Sequence, residues 1–148
     1  MKDRMVAGGV AGLIGAAVQN IYSYVMVGLN LAQFTYSDFA TSVLTNRVYS
    51  DSLGLVAGFV AYLSVGVILG ILFAYLISAT SNDYLYVKGL FYGFILWFLL
   101  TGFGTAFRLP AFLNLPPVST LSILVGGLIF GVITAFVLKQ LDHETALV

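Results

Sequence analysis

Four long apolar runs, about residues 5–31, 53–77, 84–107 and 119–138, take up most of the 148-residue chain and constrain its fold more than any other feature. A helix that crosses a hydrocarbon core about 30 Å thick needs about 20 predominantly apolar residues, and each run meets that length. The runs are continuous, whereas strands of a membrane β-barrel would alternate apolar and polar residues, so the sequence predicts helices. The expected fold is therefore all-α: one transmembrane domain over residues 1–148, built as an antiparallel four-helix bundle. The first run is near 40 Å long as a helix, at about 1.5 Å per residue, so it has to tilt or end among the headgroups.

Composition agrees. Hydrophobic residues make up 60% of the chain and charged residues 8%, against about a quarter charged in soluble proteins. The formal net charge is zero, and with so few cations no basic face exists to hold nucleic acid. The absence of cysteine removes disulfides, thiolate nucleophiles and Cys-ligated metals. Lys2 and Arg4 ahead of an apolar run imitate a signal peptide, but the run outlasts a 7–15-residue signal core, so cleavage is not expected.

The connections order the chain across the membrane. Residues 32–52 and 108–118, the latter carrying Pro110, Pro116 and Pro117, are expected on the outer side, and the short segment 78–83 on the inner. Lys2, Arg4, Lys88 and Lys139 then face inward against Arg47 and Arg108 outside, the sign expected for both termini inside. In the first outer loop Ser37 is placed to cap a short surface helix through Leu44, with an unstructured loop equally compatible with the residues. Tyr75, Tyr84 and Tyr86 are expected as anchors at the inner interface, and Tyr36 and Tyr49 at the outer.

Small residues mark where helices meet. Gly8, Gly12, Ala16, Gln19, Ser23, Met26 and Asn30 fall on one stripe of the first helix at 100° per residue. Such a stripe gains nothing from lipid, but it lets another backbone approach closely, so it is expected to face protein. Gly66 and Gly70 in the second helix, Gly89 and Gly93 in the third, and Gly127 and Gly131 in the fourth extend the pattern. Gly54 and Gly58 lie off the line of Gly66 and Gly70, which predicts two neighbours for that helix, one of them a candidate second subunit.

Two weak repeats accompany these glycines. Gly66, Gly70, Ala74 and Tyr75 match Gly127, Gly131, Ala135 and Phe136 in spacing, and Gly8 and Gly12 match Gly89 and Gly93. Chance matching between glycine-rich apolar helices is the favoured explanation.

Polar residues at membrane depth are few. Gln19, Asn20, Ser23, Asn30, Arg108 and Asn114 form a candidate pathway or hydrogen-bond seam, because an unpaired amide in hydrocarbon costs several kcal/mol. Trp97 falls mid-helix, where its indole N–H needs a Ser, Thr or carbonyl acceptor. Every acidic residue lies in a loop or tail, which leaves no proton relay for a pump or proton-coupled carrier. His143, flanked by Asp142 and Glu144, reads as part of a solvated tail. No catalytic constellation, cofactor motif or metal site is expected.

From Gly89 onward, the pattern Gly89, Tyr92-Gly93, Leu96-Trp97, a proline-bearing outer loop, Thr120 and Gly131 resembles the YqhR-like family of small bacterial membrane proteins. That resemblance implies a bacterial cytoplasmic membrane and no assigned activity. The expected function is a non-enzymatic structural or accessory subunit, self-associating or joined to a larger membrane complex through glycine-rich faces. The alternative is a small oligomeric channel or carrier for a neutral or anionic solute.

Overall fold

The computed structural model describes residues 3–81 and 83–145, with 143–145 as backbone only. Lys2 and the side chains of His143 and Glu144 therefore lie outside the described residues. The described chain is helical, with five α-helices: α1 Arg4–Gly28, α2 Tyr36–Thr45, α3 Ser52–Ala79, α4 Leu85–Ala106 and α5 Pro117–Thr145. All but α2 are long and apolar enough to cross a membrane, α5 over Pro117–Asp142. A 3-10 turn at Pro110–Phe112 links α4 to α5.

Local chemistry sets the ends. The Asp3 carboxylate accepts from the Met5 and Val6 amides at 2.9 and 3.2 Å, satisfying donors that the first turn of α1 leaves free. α5 begins at Pro117, two residues before the expected Ser119, because proline's fixed φ and missing N–H suit a first helical position. At the other end of the layout, the Lys88 ammonium donates to the Ser81 carbonyl at 2.7 Å and to the Thr80 and Ser81 hydroxyls, tying the start of α4 to the end of α3.

α1 stops at Gly28 rather than near Leu31. Asn30 takes a left-handed φ of 59°, its N–H reaches the Val27 carbonyl at 3.0 Å, and the Leu31 N–H reaches Met26 at 2.9 Å. These two bonds make a Schellman stop. α4 ends the same way: Arg108 has φ 51°, with Arg108 N–H to Thr105 at 3.1 Å and Leu109 N–H to Gly104 at 3.0 Å.

The long helices pack in the order α3, α1, α5, α4, with α2 seated on α3 and the 3-10 turn held between α2 and α4. Glycines make the outer two pairings possible. At Gly8 an added methyl would lie 2.8 Å from Ala74 Cβ, and at Gly12 it would lie 2.7 Å from Gly70 Cα. Gly89 repeats this against Gly131 and Ala135, and Gly93 against Gly127. α1·α3 and α4·α5 are thus the same antiparallel glycine joint made twice. The spacing match between them is therefore a structural repeat, where chance was the favoured explanation.

The second face of α3 is also used within the chain. Gly58 packs under Ser37 and Thr41 of α2. Its separate line on the helix is therefore explained by α2, and no second subunit is needed to cover it.

Candidate binding cleft and polar seam

α2 carries polar residues of the segment between α1 and α3 into the protein. Thr35, not Ser37, caps it: the Asp38 amide donates to the Thr35 hydroxyl at 3.3 Å while the Asp38 carboxylate accepts from the Thr35 N–H at 2.8 Å. That reciprocal capping box starts the helix two residues before the expected cap and turns Ser37 inward. Buried Ser37 then meets α1, where the Asn20 amide donates to its hydroxyl at 3.0 Å. The Ser23 hydroxyl donates to the Asn20 carbonyl at 2.7 Å and accepts the Tyr36 N–H at 3.3 Å.

Tyr36 reaches furthest. Its phenol crosses to α5 and donates to the Ile123 carbonyl at 2.7 Å, while its ring stacks on Tyr62 with centroids 5.4 Å apart. It is 4% exposed, so the expected outer-interface anchor is a core residue. Burial pushes the Tyr36 phenol above its ordinary value, and it stays protonated as a donor. The Tyr62 phenol in turn donates to the Gln19 side-chain oxygen.

Gln19, Asn20 and Ser23 are therefore all buried and bonded within the chain. They form a hydrogen-bonded seam that α2 covers. Asn30, Arg108 and Asn114 do not join it. All three are exposed with left-handed φ of 51–59°; Asn30 and Arg108 serve as helix stops and Asn114 lies in the turn before α5. The sequence pattern missed this because stripe geometry extrapolates a helix past its end.

α3 and α4 approach each other far less closely than the three other neighbouring pairs of long helices do. They flank an apolar cleft of about 740 Å³, lined from Leu69 and Phe130 at one end to Val43 and Phe107 at the other. Beyond Leu69 the Tyr92 ring of α4 packs 5.0 Å from Phe73 of α3, and the Tyr92 hydroxyl donates to the Leu69 carbonyl at 2.7 Å. Phe39 and Phe112, 4.6 Å apart by ring centroid, and Trp97 form part of its wall. The Trp97 indole donates to the Thr120 carbonyl at 3.1 Å, the kind of acceptor its depth demands.

The repeat explains why this side stays open. On α1, Ala7, Ala11 and Gly15 lie one residue before the glycine line, about 100° around the helix. That small face closes on α5: Ala7 and Ala11 share a core with Ala135 and Leu138, and Gly15 abuts Thr134 and Phe130. The register that aligns Gly8 with Gly89 puts Tyr92 and Leu96 of α4 where α1 has Ala11 and Gly15. Two bulky side chains thus stand where close approach needs small ones, and α3 and α4 are held apart.

Compared with protein-family models, curated proteins and solved structures, the chain matches none. The likeness to YqhR-like proteins rests on the residues that carry it. Among the described residues, no three His, Cys, Asp or Glu side chains come together to hold a metal ion.

Proposed function

We propose that this is a non-enzymatic membrane protein, an antiparallel four-helix bundle with both termini inside, that acts as an accessory component by holding an apolar guest in the α3–α4 cleft. The observation that carries this reading is a contrast. The polar side chains at depth are bonded to one another under α2, whereas the space between α3 and α4 is walled almost wholly by hydrocarbon. Apolar concave sites of a few hundred to a thousand Å³ are the usual form of a small-molecule site.

The glycine faces enter this reading differently than the spacing alone predicts. Gly8, Gly12, Gly66, Gly70, Gly89, Gly93, Gly127 and Gly131 meet one another inside the chain, and Ala16 packs on Gly66. Homo-oligomerisation or joining a larger complex would therefore use the lipid-facing sides of α3 and α4 rather than these ridges. A bacterial cytoplasmic membrane, as the YqhR-like resemblance implies, suits the inward placement of Arg4, Lys88 and Lys139.

A channel or carrier built on Gln19, Asn20 and Ser23 would need those groups to face water or solute, and their hydrogen bonds engage them with α2 and α3 instead. Liposome flux separates the two functions. Reconstituted protein should pass neutral and small anionic solutes no faster than empty vesicles, and a flux that disappears on Gln19→Leu/Asn20→Leu would overturn the accessory reading.

A further inference from the structure

We propose that the guest is one acyl chain of a membrane lipid, entering sideways between α3 and α4; this rests on the reading of the cleft as a binding site. Three observations select a hydrocarbon chain. The first is polarity. Each polar side chain on the cleft wall already has a partner in the protein: Gln19 with Tyr62, Tyr36 with the Ile123 carbonyl, Ser64 with the Val60 carbonyl, and Trp97 with the Thr120 carbonyl. A guest with polar groups at depth would find these hydroxyl and indole donors already engaged and would lose its own hydration.

The second is size. An apolar cavity of about 150 Å³ holds a six-carbon ring, which is ~25 Å³ per carbon. The cleft, at about 740 Å³, is therefore large enough for a long acyl chain. A transmembrane helix about 10 Å across would fill ~2400 Å³ in crossing a 30 Å core, three times what is there.

The third is the mouth. Val65 and Phe103, both lining the cleft, are 46% and 59% exposed, so the cleft is open to its surroundings at these two side chains. Phe107 and Leu109 line the outer edge on either side of Arg108. The only charged residue of the α4–α5 connection thus stands where the phosphate of a lipid whose chain occupies the cleft would sit.

The single tryptophan makes the proposal measurable, because Trp97 is part of the cleft wall. Protein reconstituted in nanodiscs of phosphatidylcholine brominated along one acyl chain should show Trp97 quenched at least as strongly as the reference variant Trp97→Phe/Phe98→Trp. Phe98 is 63% exposed to lipid and does not line the cleft, while Trp97 is only part-exposed, so bulk lipid alone would quench Trp97 less. Ala61→Phe and Ser64→Phe, at two depths in the cleft, should each cut Trp97 quenching by half or more while helix content is kept. Trp97 quenching weaker than that of the reference overturns the proposal. If bromobenzene still quenches Trp97 in that case, the cleft is open to small apolar guests and only the acyl-chain assignment falls. If neither probe quenches it, the binding reading falls as well.

Discussion

Gly9→Ala and Gly12→Ala differ by three positions on one helix, and the packing assigns them opposite effects. A Cβ at Gly12 would sit 2.7 and 2.8 Å from the Gly70 Cα and N, backbone atoms of a facing helix that no rotamer change can move. At Gly9 the nearest atom is Val67 Cγ1 at 3.4 Å, followed by Ile71 side-chain atoms at 3.8 Å, which is ordinary contact. Alanine gains up to about 1 kcal/mol over glycine within a helix. Overpacking typically costs 1–3 kcal/mol, with the upper end expected where both sides are backbone. Separating α1 from α3 by even 0.5–1 Å would forfeit roughly a quarter to a half of each contact along the joint. Gly12→Ala should therefore lose about 2 kcal/mol net, and Gly9→Ala should gain about 0.5–1 kcal/mol. Unfolding by sodium dodecyl sulfate in mixed micelles, followed by circular dichroism, measures both. Equal effects, or a neutral Gly12→Ala, would refute the backbone-contact joint.

Three further outcomes follow from individual contacts. Thr134 is 0% exposed and its hydroxyl has no hydrogen-bond partner, so Thr134→Val should raise stability by about 1–2 kcal/mol in the same titration, and a loss would contradict that environment. Gln19→Leu removes the acceptor of the Tyr62 phenol, and a double-mutant cycle with Tyr62→Phe should give a coupling of about 0.6–2 kcal/mol. Additive effects would mean the two side chains do not pair. Arg108→Gly relieves a left-handed backbone that costs a residue with a Cβ about 1 kcal/mol, so it should stabilise by that amount, whereas Arg108→Val should destabilise.

How far the sequence reaches varies from residue to residue. Continuous apolar runs gave all four spans to within about seven residues at each end, because lipid forces every backbone polar group into a helix. The small-residue stripe of α1 pointed Gly12 and Gln19 toward protein, and both meet α3, while the Trp97 indole finds a carbonyl acceptor. Asn30 failed because a stripe carries no information about where the helix stops, and that stop is made by two backbone bonds beyond Gly28. Tyr36 failed because tyrosine at an interface and tyrosine in a core look alike until Thr35 and Asp38 fix the direction of α2. The cleft was the least legible feature. Its cause is written in the chain, as Tyr92 and Leu96 in place of Ala11 and Gly15, but it has meaning only once the glycine repeat is known to be structural.

The open side of the molecule can be tested directly, because the natural chain has no cysteine to interfere. A disulfide needs Cα atoms within about 7 Å. Oxidation of Gly15→Cys/Thr134→Cys in native membranes should therefore link α1 to α5 rapidly, since those two positions abut. Leu69→Cys/Leu96→Cys, on opposite walls of the cleft, should stay unlinked under the same oxidation and yield only to a longer bifunctional reagent. A disulfide between residues 69 and 96 forming as fast as the first would mean that α3 and α4 close on each other, and no cleft exists.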